Sequence, residues 1–108
     1  MFNSATLVGR TVRDAELGDR STGGMVLRFT LAVDRDYEVD GETPTDFWPV
    51  QITGEYGARL APHVIKGRLV LVAGQAQIDQ RRCDDGSYRV FPYVSASRLR
   101  FLDKQRAE

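Results

Sequence analysis

The sequence has one cysteine, one histidine and no long apolar run, and these shortages exclude several classes of protein. The single Cys83 excludes an internal disulfide and a cysteine-rich metal site, and with His63 twenty residues away a Cys/His catalytic pair is not expected. No run of about 18 apolar residues is present, and the start MFNSATLVGR lacks the charged-then-apolar order of a secretion signal. We therefore expect no metal, no cofactor and no membrane insertion, and a cytoplasmic location.

An excess of charge of either sign is also lacking. Lys and Arg total 15, and Asp and Glu total 15, so the net charge gives no support for a polyanionic partner. The distribution is uneven, because residues 37–67 hold two basic and five acidic residues whereas residues 68–108 hold eight basic and five acidic ones. A cationic face in the C-terminal half and an ordinary solvated strand surface both account for this pattern.

No group of residues suggests catalysis. Asp34 and Asp36 have strand-like spacing but no evident nucleophile or base beside them, so a polar strand end explains them better than an active site. The 108 residues are enough for one small domain, in which folding hides roughly 60 to 70% of the unfolded chain's surface. We expect a protein that is not an enzyme.

Alternation of apolar and polar residues predicts five strands. In Met25 to Arg35 it places Leu27, Phe29, Leu31 and Val33 on the core face, and Val26, Arg28, Thr30 and Ala32 on the other. The other predicted strands cover residues 5–13, 44–53, 68–79 and 88–102. Residues 14–24 are rich in turn formers, and Asp40-Gly41 is typical of a hairpin bend.

One short helix is predicted between the third and fourth strands. Apolar residues in EYGARLAPHVI have near-helical spacing, Pro62 limits the length of the helix, and Lys66-Gly67 is a suitable stop. Five strands with a helix at this point are the order of the OB-fold, an all-β, partly open five-stranded barrel.

The stretch PTDFWPVQI places two large aromatic residues side by side. Successive side chains of a strand point to opposite faces, so Phe47 and Trp48 cannot both enter one core. Alternation alone does not decide which of the two is exposed.

Several fragments, in order and spacing, resemble the DNA-binding domain of bacterial single-stranded DNA-binding proteins over roughly residues 2–104. They are LVGRTVRDAEL (7–17), FTLAVDRDY (29–37), TDFW (45–48), IKG (65–67), VAGQAQ (72–77) and RLRFLDK (98–104). The resemblance implies an OB-fold domain over residues 1–104 with a short C-terminal end at 105–108. It also implies a nucleoid-associated homotetramer that protects single-stranded DNA, with little sequence preference, during replication, recombination or repair.

The resemblance further implies that Tyr37 and Phe47 stack on bases, which leaves Trp48 for the core or a subunit interface. Thr53 departs from the family pattern because an aromatic residue is usual there, and Arg81 falls near a place where some members carry Trp. Basic side chains can contact the phosphate backbone without recognising the base sequence. Each of the candidates named next is alternatively an ordinary surface charge. The candidates for phosphate contact are Arg28, Lys66, Arg81, Arg82 and Arg89.

Typical family members continue into a flexible linker and an acidic tip that recruits replication and repair proteins, whereas this sequence stops at DKQRAE. A trimmed chain and a specialised tail-less paralogue both fit, so the resemblance leaves recruitment of such partners open. An alternative within the same fold is a primosomal-type OB adaptor, which binds helicase-loading proteins and DNA as a dimer.

Overall fold

The computed structural model describes residues 1–104, which form six strands, a short α-helix and a 3₁₀ turn. The elements are β1 (Ala5–Thr11), β2 (Glu16–Asp19), β3 (Met25–Asp34), β4 (Thr45–Thr53), α1 (Gly54–Leu60), the 3₁₀ turn (Ala61–His63), β5 (Leu69–Arg82) and β6 (Tyr88–Phe101). The predicted short C-terminal end, residues 105–108, lies outside the described residues. Among residues 1–104, no helix is long and apolar enough to cross a membrane.

Five of the strands close into a ring in the order β1, β5, β6, β4, β3 and back to β1. Four of the five contacts are antiparallel, and the parallel contact between β4 and β6 has only the pairs Val50–Val94 and Gln51–Ser95. With α1 between the third and fourth strands of the ring, the predicted all-β OB-fold is confirmed. The ring is narrowly joined at β4–β6, as expected of a partly open structure.

The core fills the ring with buried apolar side chains of β3, β4, β5 and β6, and Leu7 of β1 packs against them. On β3, Leu27, Phe29 and Leu31 are buried on the predicted core face. Val26 is buried too, although alternation places it on the other face. It pairs with Gly18 of β2, and the Arg28 guanidinium lies beside that glycine, so β2 and Arg28 border Val26.

The strand β2 was not predicted, because residues 14–24 had the composition of one long turn. Glu16 to Asp19 instead pair antiparallel with the first residues of β3, and the turn shrinks to residues 20–24. Gly23 and Gly24 adopt positive φ angles there, which glycine tolerates. The strand escaped the sequence pattern because its four residues include one apolar side chain, Leu17, which is itself exposed.

The predicted helix stop at Lys66-Gly67 was wrong. The α-helix ends at Leu60, and a 3₁₀ turn carries the chain to His63. Pro62 lacks the N–H that an α-helix would need at this point, which explains the early end. Gly67 does have a positive φ, but it lies in the turn into β5, where its N–H donates to the Thr11 carbonyl at 2.9 Å.

Strict alternation along the last strand predicts that Arg98 shares a face with Val94 and Ala96 and that Leu99 lies on the other face, and this prediction is wrong beyond residue 96. Ala73 pairs with Arg98 and Gly74 pairs with Ala96, so Ser97 is an extra residue in β6. This β-bulge shifts the alternation by one residue, and Leu99 is therefore buried on the same side as Ala96. Gly74 permits the close approach, because a Cβ there would overlap the Ser95 carbonyl oxygen.

A buried arginine ties the end of β6 to the start of β5. The Arg68 guanidinium donates to Asp103 Oδ1 from Nη2 and Nε at 3.1 and 3.2 Å, and lies 4.0 Å from the centroid of the Phe101 ring. The other carboxylate oxygen of Asp103 accepts the Leu69 N–H at 3.2 Å. These contacts fix residues 101–103 against the ring.

We expect this anchor to make stability fall in acid. The Leu69 N–H, followed by Arg68, lowers the pKa of Asp103, and desolvation only partly opposes the shift. A lowered folded-state pKa gives stability that is present above the unfolded value, about 3.9, and lost as the pH falls through the folded value. Urea unfolding should give a flat free energy of unfolding from pH 7 to about pH 5 and a decline below about pH 4.

The Asp103→Asn variant keeps the shape of the side chain but cannot titrate. Its decline in acid should be shallower than that of the wild type, although Asp46 and Asp85, whose pKa values are also lowered, should preserve part of it. Identical acid slopes for the two proteins would show that Asp103 does not carry the effect.

Candidate nucleic-acid interface

The outer face of β4 presents an exposed aromatic ring. Phe47 is 63% exposed, whereas Trp48, the next residue, is half-buried and packs against the core cluster. The predicted exposure of one of these two aromatic residues is confirmed, and Trp48 lies where a core position was expected. Phe47 pairs with Ala32 of β3, whose small side chain leaves the face of the ring uncovered.

A second exposed aromatic residue lies in the β3–β4 hairpin and is tied to the same strand. Tyr37 is 48% exposed, and Arg35 Nη1 donates to its hydroxyl. The same guanidinium donates to both carboxylate oxygens of Asp46, at 2.9 and 3.0 Å. Since Asp46 directly precedes Phe47, Arg35 links the side chain of Tyr37 to the backbone segment that carries Phe47.

Neither Arg35 nor Asp46 was singled out in the sequence, although they form the link between the two aromatic residues. Hydrogen bonding from Arg35 lowers the pKa of Asp46, and the bonds to Asp46 and then Tyr37 raise the pKa of Arg35. Both groups therefore stay charged throughout the neutral range. Two opposite charges on the two arms of a predicted hairpin suggest an ion pair between the arms. The sequence does not give the register of the hairpin, which is needed to pair Arg35 with Asp46.

The tip of this hairpin is tight and acidic. Val39 and Glu42 form an isolated bridge, with Asp40 and Gly41 between them at φ angles of 52° and 80°. The predicted bend at Asp40-Gly41 is thus confirmed, since a two-residue turn of this type requires positive φ at both positions. The carboxylates of Glu38, Asp40 and Glu42 are exposed there and would repel phosphate.

Two of the predicted cations lie near one cavity beside β2 and β3. Arg28 lines this cavity on the outer side of β3, together with Arg13, Asp14, Glu16 and residues of β4. Lys66 is next to it, because its backbone N–H donates to Asp14 Oδ1 at 2.8 Å. Arg13 is a further cation at this cavity that the sequence analysis did not name.

The remaining three predicted cations lie on the β5–β6 hairpin but not on one face. Arg81 pairs directly with Arg89, whereas Arg82 pairs with Tyr88. Side chains of neighbouring residues on a strand point to opposite faces, so Arg81 and Arg89 share one face and Arg82 lies on the other. Arg81 also forms an exposed ion pair with Asp79, in which Arg81 Nε lies 3.4 Å from Asp79 Oδ2.

A family model describing the single-strand binding protein family matches residues 2–102. The chain belongs to this family. It is 37% identical to a single-stranded DNA-binding protein of Thermotoga maritima, over 99% of this chain and 78% of that protein. It is 32% identical to single-stranded DNA-binding protein B of Bacillus subtilis, over 100% of this chain and 96% of that protein.

A solved structure supports the fold assignment of this family member. The Plasmodium falciparum SSB in complex with single-stranded DNA superposes with a TM-score of 0.79, covering 95% of this chain and 96% of that one at 22% identity. The family match and the names of the relatives do not favour the dimeric adaptor alternative.

Proposed function

We propose that the chain is a non-catalytic protein that binds single-stranded DNA with little sequence preference and protects it during replication, recombination or repair. Residues 1–104 are the proposed binding domain, and Tyr37 and Phe47 are the proposed stacking platforms. The observation that carries the proposal is the open Phe47 ring on the outer face of β4, with Tyr37 held to the same strand through Arg35. Stacking is tolerant of sequence because every base has a π-face.

The positions of the charges favour one course for the phosphates. The acidic tip of the β3–β4 hairpin repels them, while Arg28 and Lys66 near the β2–β3 cavity, and Arg81 and Arg89 on the β5–β6 hairpin, attract them. Single-stranded DNA that stacks on Phe47 would therefore extend from Phe47 toward these cations, in the direction opposite to the acidic tip. Phosphate contacts of this kind position the strand without reading its bases.

Two stacking platforms do not account for tight binding by one copy. At roughly 1 to 3 kcal/mol per base they supply about 2 to 6 kcal/mol, whereas nanomolar affinity requires roughly 12 kcal/mol. Several copies that engage one strand would supply the remainder through multivalency. We therefore propose a homo-oligomer as the binding form, and the family resemblance implies that it is a tetramer.

The test is a titration of fluorescent oligo-dT of several dozen nucleotides into the protein, with mass measured by light scattering on the same samples. Tight binding by a tetramer, with similar affinities for mixed sequences in competition, is the expected result. A strong preference for one oligonucleotide sequence would contradict the stacking mechanism, and a dimer that does not bind DNA would contradict the proposed function.

Salt dependence tests the proposed phosphate contacts. Each phosphate neutralised on a single strand contributes about −0.7 to the slope of log K against log salt concentration. Arg89→Gln should reduce the magnitude of the slope by about 0.7 for each engaged copy. Arg82, also a predicted phosphate contact, lies on the opposite face of the same hairpin, so Arg82→Gln is the comparison variant, and equal changes in the two variants would show that both faces contact phosphate.

A further inference from the structure

The outer end of the β5–β6 hairpin carries exposed aromatic residues, not assigned from the sequence, beside the predicted phosphate contacts Arg81, Arg82 and Arg89. The β5 residues from Gln77 to Arg82 pair with the β6 residues from Tyr88 to Tyr93, and among the described residues no further strand pairs with this part of the hairpin. Nearly all of these residues are also exposed, so both faces of the hairpin are open to a ligand. The two faces differ in the residues that they present.

One face holds an open aromatic ring with a cation beside it. Phe91 is 44% exposed, and the Cζ of Arg81 lies 5.3 Å from the centroid of its ring. Tyr93 is on the same face, and its hydroxyl donates to Gln77 Oε1 at 2.8 Å across the strand pair. The Phe91 ring is thus beside a guanidinium and stays half-exposed, and a hydrogen-bonded tyrosine lies two residues further along the same face.

This face continues the outer surface that carries Phe47. The parallel strands β4 and β6 are in register at Val50 and Val94, both of which are buried in the core. Three residues before that pair, β4 has Phe47 and β6 has Phe91. On each strand, a residue an odd number of positions from an inward-facing residue faces outward. The two phenylalanines therefore lie on the same outer surface of neighbouring strands.

We propose that Phe91 is a third base-stacking platform and that Arg81 beside it contacts the flanking phosphate. This inference rests on the proposed function and adds a site that extends along the β5–β6 hairpin. A half-exposed aromatic ring next to an arginine offers the two groups that sequence-independent grooves for single strands combine, a π-face for the base and a cation for the backbone. Single-stranded DNA that stacks on Phe47 of β4 would reach Phe91 on the neighbouring strand β6.

The test compares three single variants of the full chain, titrated with fluorescent oligo-dT of several dozen nucleotides at low salt. Phe91→Ala should weaken binding by about 5-fold to 150-fold, the range that corresponds to one lost stacking contact. Phe91→Tyr keeps the ring and should bind within about twofold of the wild type. Tyr88→Ala removes an aromatic side chain that is 64% exposed on the opposite face, and it should leave affinity unchanged.

The outcomes separate this inference from the proposed function. Wild-type affinity in Phe91→Ala, with binding still weakened by Phe47→Ala, would overturn the third platform and leave the proposed function intact. Equal losses in Phe91→Ala and Tyr88→Ala, or a loss accompanied by a change of mass in light scattering, would overturn it in favour of a structural role for the hairpin. Absence of binding by the wild type would overturn both.

Discussion

Replacing Tyr37 and Phe47 together with alanine is expected to weaken the binding of oligo-dT by about 2 to 6 kcal/mol, or roughly 30-fold to 10⁴-fold. Both rings are open to a ligand, and each is worth about 1 to 3 kcal/mol if a base stacks on it. Neither belongs to the buried core cluster, so the fold should survive the change. Fluorescence titration gives the affinity, and circular dichroism confirms that the variant is folded.

The control for this experiment keeps both rings and changes only their hydroxyl groups. Tyr37→Phe combined with Phe47→Tyr should bind nearly as well as the wild type if the π-faces carry the affinity. A full loss in this control would point to the hydrogen bond between Arg35 and Tyr37 instead. Undiminished affinity in the double alanine variant would move the binding site to another part of the surface.

The two single variants should not be independent. Arg35 joins the Tyr37 hydroxyl to Asp46, which directly precedes Phe47, so a change at either aromatic residue alters the setting of the other. Residues that are coupled through a hydrogen-bond network or a shared backbone shift usually show coupling energies of about 0.5 to 3 kcal/mol. A double-mutant cycle on DNA binding should therefore give a non-zero coupling term that Arg35→Ala abolishes.

Much of this surface was predictable from local pattern, because alternation along a strand is a strict geometric rule. It required that one of Phe47 and Trp48 be exposed, and it identified the core face of β3. It did not decide which of the two aromatic residues faced outward. The answer depends on which face of β4 is turned toward the core of the closed sheet. The family resemblance predicted that Phe47 is the exposed residue.

The features that escaped the sequence depend on contacts between strands. β2 has too few apolar residues to be recognised without β3 beside it, and the bulge at Ser97 is visible only in the register between β5 and β6. The relation between Phe47 and Phe91 required the parallel pairing of β4 with β6, two strands that are separated along the chain by α1, the 3₁₀ turn and β5. Long-range register is the information that alternation in a single strand does not contain.

The second prediction with a large expected effect concerns the stability of the core. Leu31 is fully buried in β3, where it pairs with Trp48 of β4 on one side and Thr11 of β1 on the other. Leu31→Ala should lower the free energy of unfolding by about 2 to 5 kcal/mol, because it removes the burial of the side chain and leaves a cavity. That is a large fraction of the roughly 5 to 15 kcal/mol that holds an ordinary domain together.

The position of Leu31 favours a cost near the upper end of this range. The contact between β1 and β3 that closes the ring has only two residue pairs, Arg10–Ala32 and Thr11–Leu31, so a cavity there lies against the shortest antiparallel seam. Leu102→Ala, at an exposed leucine, is the matched control and should change stability by less than about 0.5 kcal/mol. Urea denaturation at one fixed protein concentration measures both, since oligomers gain stability by mass action. Equal and small effects in the two variants would mean that the ring collapses around the cavity, and that its closure does not depend on the packing of Leu31.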